Sequence, residues 1–304
     1  MQATDLEGSK DLERPLLVVN YPVNSLPGSG GGTMVGESGR VPDKERRLGT
    51  WRNPPLAYVV AELRMSPYYS LKEAIPRLQN ALREHFPRTI EGSELVIDPS
   101  SPPAPQPVWQ LISAGSERGV FVSTRSVSLH ATAYADFPDF LERWTHVLSA
   151  LSEAELNPFV ERAGLRYVDL IVPADDRQPR EYLSERLQGV PSMEGAAVQS
   201  SICGATFSVN GFTLQVHTAA PSPEGMLFAP NFSALPLQKP PIMLAAEERT
   251  KNKKQVGYID TDCWLLIQKV FDAPELRGLY ERLHDHISGM FTALLSNIAL
   301  KEWK

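Results

Sequence analysis

Cysteine is nearly absent from this chain of 304 residues. Cys203 and Cys263 are the only two, and a pair sixty residues apart does not have the spacing of zinc ligands. Both lie inside apolar, strand-like runs, which favours buried and reduced thiols, with a disulfide or a reactive thiol as the alternative. Cysteine therefore predicts no metal site.

Long hydrophobic runs and an excess of positive charge are also missing. No stretch of eighteen apolar residues occurs, and no basic region precedes an apolar segment near Met1. We therefore expect no membrane contact, no signal peptide and a cytoplasmic location. The net charge of −6 disfavours sequence-independent binding of nucleic acid, because such binding depends on neutralising many phosphates; a local basic patch stays open.

Recognisable catalytic motifs are absent as well. The glycine-rich run at residues 28–32 lacks the Gly-Lys-Ser/Thr ending of a phosphate-binding loop, and there is no Gly-x-Ser-x-Gly sequence. His284 and His286 are two residues apart on a predicted helix, so they point in different directions, unlike a metal-binding pair at i and i+4. We expect no cofactor and no metal, and favour a non-catalytic protein while leaving enzymatic activity open.

The chain does contain a short sequence pattern that occurs twice. Asp136 and Asp272 each begin the pattern Asp-x-Pro-acidic, at an offset of 136 residues. Each follows an alternating apolar run and precedes helical periodicity, so the match extends over a strand, a helix cap and a helix. This repeated pattern predicts that the chain contains the same arrangement of strands and helices twice.

The first half divides into an arm and a unit. Residues 1–50 are polar and turn-rich and predict a flexible arm, which could dock on its own chain or on a partner. In residues 51–158 we expect a strand from Leu56, a helix capped by Ser70, and four further strands interrupted by a proline-rich loop at 99–107. Asp136 then caps a second helix.

The second half, residues 159–304, predicts the same order with embellishments. We expect a strand around Tyr167, a short helix at about 179–188, and a hairpin around Asn210-Gly211, the dipeptide that best suits a type I′ turn. A longer proline-rich loop at 221–241 precedes a predicted strand at residues 242–244. Two more strands and a long helix capped by Asp272 complete this half.

These elements predict an α+β fold of two tandem β-α-β4-α units. We expect antiparallel sheets, each covered on one face by helices, related by a pseudo-two-fold duplication, or one joint sheet if the halves pair edge to edge. The element order resembles the TATA-binding-protein-like or helix-grip class. That resemblance concerns the fold and carries no function.

Short motifs extend the resemblance to a family. Asn53-Pro54-Pro55 before Glu62-Leu63-Arg64, and Gly164-Leu165-Arg166-Tyr167, are similar to the N-P-P, E-[IL]-R and G-L-R-Y sequences of a sporadically distributed prokaryotic family of unknown function. The similarity covers about residues 52–300. Val168-Asp169-Leu170 depart from it, since the family more often has a polar Asn or Arg there. The family's scattered occurrence implies a mobile-element or defence context.

Charged residues inside the two first strands are the best candidates for a site. Glu62, Arg64, Arg166 and Asp169 interrupt otherwise apolar runs. One hypothesis is an ion-pair network between the repeats, since a buried charge is destabilising without a partner. The other is an anion or peptide carboxylate held by Arg64 and Arg166, whose planar guanidinium groups suit bidentate contacts.

A basic turn is the second candidate. Arg249, Lys251, Lys253 and Lys254 lie close together and are either a solvated turn or a contact for phosphate. The sequence favours a protein that binds a protein partner or its own copy. The alternatives are nucleic-acid binding through a saddle-like sheet surface and hydrolysis at an unrecognised site.

Overall fold

A computed structural model of the chain describes residues 51–98, 101–191, 193–223 and 226–304, with side chains for all of these except 95–104. The predicted arm, residues 1–50, lies outside the described residues. The nine strands are β1 Leu56–Met65, β2 Arg88–Asp98, β3 Ser101–Ile112, β4 Arg118–Ser123, β5 Ser126–Ala131, β6 Phe159–Ile171, β7 Ile202–Val209, β8 Phe212–Ala219 and β9 Gly257–Val270. The five α-helices are α1 Leu71–Leu82, α2 Phe137–Glu153, α3 Pro241–Lys251, α4 Ala273–Leu294 and α5 Asn297–Trp303.

The strands form one antiparallel sheet, so the fold is α+β. Their order is β2-β3-β4-β5-β1-β6-β9-β8-β7. The first strands of the two sequence halves, β1 and β6, pair at its centre, with Val60 opposite Arg166 and Arg64 opposite Arg162. Of the two expected arrangements, the structure shows the joint sheet rather than two separate sheets, and the halves are joined by backbone hydrogen bonds across β1 and β6.

Three helices cover one face of this sheet. Side chains alternate along a strand, so Val59, Ala61 and Leu63 of β1 point to that face and are fully buried. They belong to a core built with α1, α2 and α4. Tyr280 of α4 donates a hydrogen bond from its hydroxyl to the Glu62 carbonyl at 2.6 Å. This covered face contains the main hydrophobic core.

The helix caps follow the sequence prediction. The carboxylate of Asp136 accepts a hydrogen bond from the Asp139 backbone N–H at 2.8 Å, and Asp272 accepts one from Glu275 N–H at 3.0 Å. Each cap satisfies a backbone donor that the first turn of a helix leaves free. Ser70 precedes α1 as predicted, but its side chain makes no capping hydrogen bond.

The hairpin at Asn210-Gly211 is confirmed. Val209 pairs with Phe212 across the turn, and both turn residues have positive φ, 50° for Asn210 and 86° for Gly211. These angles are those that a type I′ turn requires.

The proline-rich segments and the short second-half elements differ from prediction. Residues 242–244, a predicted strand, lie in α3, because Pro241 favours a first helical turn and strong helix formers follow it. The predicted helix at 179–188 is instead two 3-10 turns, Pro179–Tyr182 and Glu185–Leu187. Residues 101–107 of the predicted loop at 99–107 belong to β3, which pairs with β2 over these residues but with β4 only from Val108 onward, and residues 99–100 lie outside the described residues. Strands at such a periphery tolerate proline because fewer backbone donors are needed there.

Candidate functional site

The face opposite the main helices carries a group of charged side chains at the centre of the sheet. Helix α3 and the loop before it cover only one end of this face. The alternation that buries Val59 and Leu63 places six ionisable residues on the uncovered part. We call these six residues the charged face: Glu62, Arg64, Arg162, Arg166, Asp260 and Asp262.

Arg162 is the centre of this group. Its guanidinium contacts the Glu62 carboxylate of β1 and lies 3.1 Å from the Asp262 carboxylate of β9, and its side chain is only 11% exposed. It also packs over the Trp264 ring, 4.8 Å from the ring centre. One guanidinium on β6 thereby links both neighbouring strands.

Arg166 links the sheet to the loop above it. Its side chain donates two hydrogen bonds to the Asp260 carboxylate, at 2.8 and 2.5 Å, and one to the Asn231 side-chain oxygen at 2.9 Å. Its guanidinium lies 5.0 Å from the centre of the Phe232 ring. Since Asp260 is almost fully buried, this bidentate pair replaces the water that the carboxylate loses.

The electrostatics of the two shared carboxylates differ. Burial alone would raise the pKa of Glu62, but Arg64 and Arg162 together hold that pKa below its ordinary value. At Asp262, burial outweighs the attraction of Arg162 and Arg166, so its pKa is raised. The two arginines at Glu62 therefore outweigh the effect of burial on its pKa, whereas the arginines near Asp262 do not.

The charged face does not present Arg64 and Arg166 to one carboxylate. Arg166 lies opposite Val60, four residues from Arg64, which is about 13 Å along a strand. Arg64 donates to Glu62 at 2.9 Å, and Arg166 is held by Asp260 and Asn231. The geometry is that of an ion-pair network between strands of the two halves.

Asp169, the fourth residue of the predicted constellation, lies on the other face. It follows Val168 on β6 and is 5% exposed, lining a cavity on the side of Tyr167 and α4. Burial, followed by the nearby charge of Asp260, raises its pKa well above the ordinary range. The sequence pattern did not separate Asp169 from the charged face.

The predicted basic turn lies at the end of α3, where Arg249, Lys253 and Lys254 line one pocket. Arg249 donates to the backbone carbonyls of Gln255 and Asp175, at 3.1 and 2.7 Å, and Lys254 lies 3.4 Å from the Asp176 carboxylate. Lys251 and Lys253 are exposed. Arg249 thus links the loop that contains Asp175 to the loop that contains Gln255, while the lysines are exposed to solvent.

Sequence reasoning missed three members of the charged face: Arg162, Asp260 and Asp262. Arg162 is four residues before Arg166 and shares its side of β6, a period-2 signal that was available. Asp260 and Asp262 alternate in the same way along β9. They were missed because the sequence predicts two strands in this region, where the structure has the single strand β9.

His130 lies beside the charged face in a fully buried position. Its Nε2 is 2.8 Å from the Ser128 hydroxyl, and its Nδ1 is 3.2 Å from the Tyr58 hydroxyl, which accepts a hydrogen bond from the Leu235 N–H. Burial lowers the pKa of His130 to about 4, against a smaller opposing effect of Glu62. The imidazole is therefore neutral in the folded protein at neutral pH.

This neutral histidine predicts acid sensitivity. Its pKa is about 6.5 when the chain is unfolded and lower when it is folded, so the stability that it contributes is present above pH 6.5. We expect a loss of up to about 3 kcal/mol as the pH falls from about 6.5 to about 4. Urea unfolding at a series of pH values should show a shallower decline for His130→Asn. The exposed control His85→Asn should follow the wild type, and an unchanged slope in His130→Asn would contradict the assignment.

The edge of the sheet is a different kind of surface. β7 is its last strand, and no described residue pairs with the outer side of that strand. Ile202 is 60% exposed and Phe207 is 40% exposed. Within the described part of the chain, the backbone groups on the outer side of this eight-residue strand therefore have no strand partner.

The two cysteines differ in burial. Cys203, predicted to be buried, is only half-buried because it lies on this edge strand. Cys263 is buried on β9, and both are free thiols.

Within the described part of the chain, no helix is both long and apolar enough to cross a membrane. The same residues contain no group of three or more His, Cys, Asp or Glu arranged to hold a metal ion. No protein-family model, no curated protein and no solved structure matches this chain. The resemblance to the sporadically distributed prokaryotic family and to the TATA-binding-protein-like class stays a prediction.

Proposed function

We propose that this chain is an assembly protein that binds a second copy of itself along strand β7. Each copy would add its β7 antiparallel to that of the other, so that two nine-stranded sheets become continuous. Backbone hydrogen bonds would supply the attraction, and side chains on the two faces would set the register.

The composition of β7 carries this proposal. Its residues, Ile202-Cys203-Gly204-Ala205-Thr206-Phe207-Ser208-Val209, include no charge and no proline. Natural proteins place charged residues or proline on exposed edge strands, because an unprotected edge pairs readily with other chains. The opposite edge, β2, follows that rule and contains Arg88, Glu91, Glu94 and Asp98. β7 is the unprotected edge.

A second copy suits this edge for reasons of symmetry. Two identical antiparallel strands form an isologous contact that satisfies both edges at once and closes the assembly at a dimer. A two-fold axis perpendicular to the sheet also keeps the helices of both copies on the same side. Since eight residues give a small interface, we expect an affinity in the micromolar range.

Introducing a charged residue at the centre of β7 tests whether this strand is the dimer interface. Thr206 is exposed, and Thr206→Lys places like charges close together across the two-fold axis. Sedimentation velocity of the full chain should show dimerisation weakened by about tenfold or more. Mixing Thr206→Lys with Thr206→Glu should restore dimers.

Ile90→Lys is the matched control, because Ile90 is 45% exposed on the opposite edge strand. It should dimerise like the wild type, and circular dichroism should show both variants folded. Equal weakening by the two lysine variants would place the interface elsewhere. A wild type that stays monomeric throughout the micromolar range would refute the proposal.

The nucleic-acid alternative is less well supported. The charged face contains three arginines and three carboxylates, and the described contacts pair them with one another. A saddle for nucleic acid needs a surplus of cations that neutralises phosphates. We therefore favour polypeptide over nucleic acid as the partner.

We also propose that the two halves arose by duplication. The central pairing of β1 with β6 and the equivalent caps at Asp136 and Asp272 support this origin. In that case β7 and its Asn210-Gly211 turn belong to the half that diverged further, since α3 stands where the second unit was expected to have another strand.

A further inference from the structure

A large cavity lies at one end of the sheet, between the helices of the covered face and the start of α3, and its lining includes no residue of β7 or of the charged face. Its volume is about 930 Å³, within the range of small-molecule sites. It opens to solvent on one side and is lined by the segment before β1, the segment after β5, β6, the start of α3, and helices α4 and α5. Its aromatic wall consists of Trp51, Tyr134, Tyr167, Phe291 and Trp303.

One buried carboxyl group faces this cavity. Asp169 lines the wall and is 5% exposed. Among the described residues, none donates a hydrogen bond to its side chain. The nearby tyrosine hydroxyls are engaged elsewhere: Tyr134 and Tyr167 are 3.2 Å apart, and the Tyr167 hydroxyl is 3.1 Å from Nδ1 of His284. Asp169 is therefore a buried acceptor whose partner is not supplied by the described protein.

Such a group destabilises the fold. A carboxylate that is 5% exposed and has no hydrogen-bond donor among the described residues loses most of its hydration and gains little in return. Burial and the neighbouring Asp260 raise its pKa, which reflects this penalty. An asparagine would fill nearly the same volume without a charge. A ligand that brings its own positive donor would remove the penalty.

Other charges around the cavity agree with a cationic ligand. Glu117 and Glu302 also line it. Glu302 accepts a hydrogen bond from the Tyr182 hydroxyl at 2.6 Å and lies 3.2 Å from the Arg177 guanidinium, which offsets part of its charge. Of the basic residues in the lining, Lys239 is paired with Glu247 and Arg52 is exposed. The interior of the cavity therefore combines aromatic surface with negative charge.

We propose that this cavity binds a small organic cation, with its ammonium group at Asp169 and its apolar body against the aromatic wall. An ammonium group supplies the donors that Asp169 lacks, and aromatic faces attract a cation through their quadrupoles. The site is independent of assembly along β7, because Asp169 lies on β6 at the centre of the sheet.

Phenethylammonium is a suitable probe, with phenethyl alcohol as its neutral analogue of similar size and hydrocinnamate as an anionic one. Isothermal titration calorimetry of the full chain should show saturable binding of the ammonium compound. The alcohol should bind about tenfold more weakly or worse, and the anion should not bind. Asp169→Asn should lower the ammonium affinity about tenfold while leaving that of the alcohol unchanged.

Asp176→Asn is the matched control, because its carboxylate is 96% exposed and lies outside the cavity. It should bind the ammonium compound like the wild type. Ala133→Phe, which introduces bulk into the lining, should abolish binding by a second route. Thermal unfolding should show Asp169→Asn at least as stable as the wild type without ligand. Equal affinity for the alcohol and the ammonium, no effect of Asp169→Asn, or no saturable binding of the ammonium would each overturn the proposal.

Discussion

Replacing Arg162 with alanine is expected to lower the free energy of unfolding by about 3–5 kcal/mol. The Arg162 guanidinium lies between the Glu62 and Asp262 carboxylates and is only 11% exposed. Its removal leaves two adjacent carboxylates with too little compensating charge, in a region that water reaches poorly. Because Glu62 and Asp262 belong to the strands on either side of β6, the centre of the sheet weakens. Chemical denaturation at neutral pH measures the change.

Arg64→Ala is the control for this prediction, because it removes a more exposed arginine that contacts the same carboxylate. Arg64 also contacts Glu62, but its side chain is 40% exposed, and Arg162 still neutralises Glu62 when Arg64 is gone. We expect a loss of at most about 1 kcal/mol. If Arg162→Ala were as mild as Arg64→Ala, the charged face would be a solvated surface rather than a structural network.

Replacing Trp144 with alanine should also lower the free energy of unfolding by about 3–5 kcal/mol. Trp144 of α2 is fully buried, and its ring packs edge-on against Tyr280 of α4, with centres 5.4 Å apart. The change removes a large apolar side chain where two helices meet on the sheet, and close packing allows little collapse around the void. Urea unfolding followed by far-ultraviolet circular dichroism measures it.

The control for this prediction is Tyr69→Ala, which removes an aromatic ring that is 84% exposed. Its stability should stay within about 0.5 kcal/mol of the wild type. A comparable loss in both variants would show that the effect of Trp144 does not arise from core packing.

The sequence predicted those features of the fold that depend on interactions between neighbouring residues, namely the helix caps and the hairpin turn. An aspartate before a helix accepts a hydrogen bond from a residue three positions later, so Asp136 and Asp272 were identifiable as caps. Asn210-Gly211 specified its own turn through positive φ. Which strands pair was not predictable in this way, because the contact between β1 and β6 joins residues about a hundred positions apart.

Short apolar runs were the other source of error. Residues 242–244 have no periodicity long enough to distinguish a strand from a helix, and their context after Pro241 determined the outcome. The candidate site shows the same limit. The pattern placed Glu62 and Arg64 on one face. Asp260 and Asp262, however, come from β9, which joins the site only through the sheet order.

Hydrogen exchange of β7 at increasing protein concentration tests the proposed assembly most directly. Backbone amides on the outer side of Ile202–Val209 have no strand partner among the described residues and are hydrogen-bonded in the proposed dimer. We predict that peptides covering β7 become more protected as the concentration rises through the micromolar range, while those covering β2 do not change. Protection of β7 that is independent of concentration, together with a monomeric mass, would contradict the proposal.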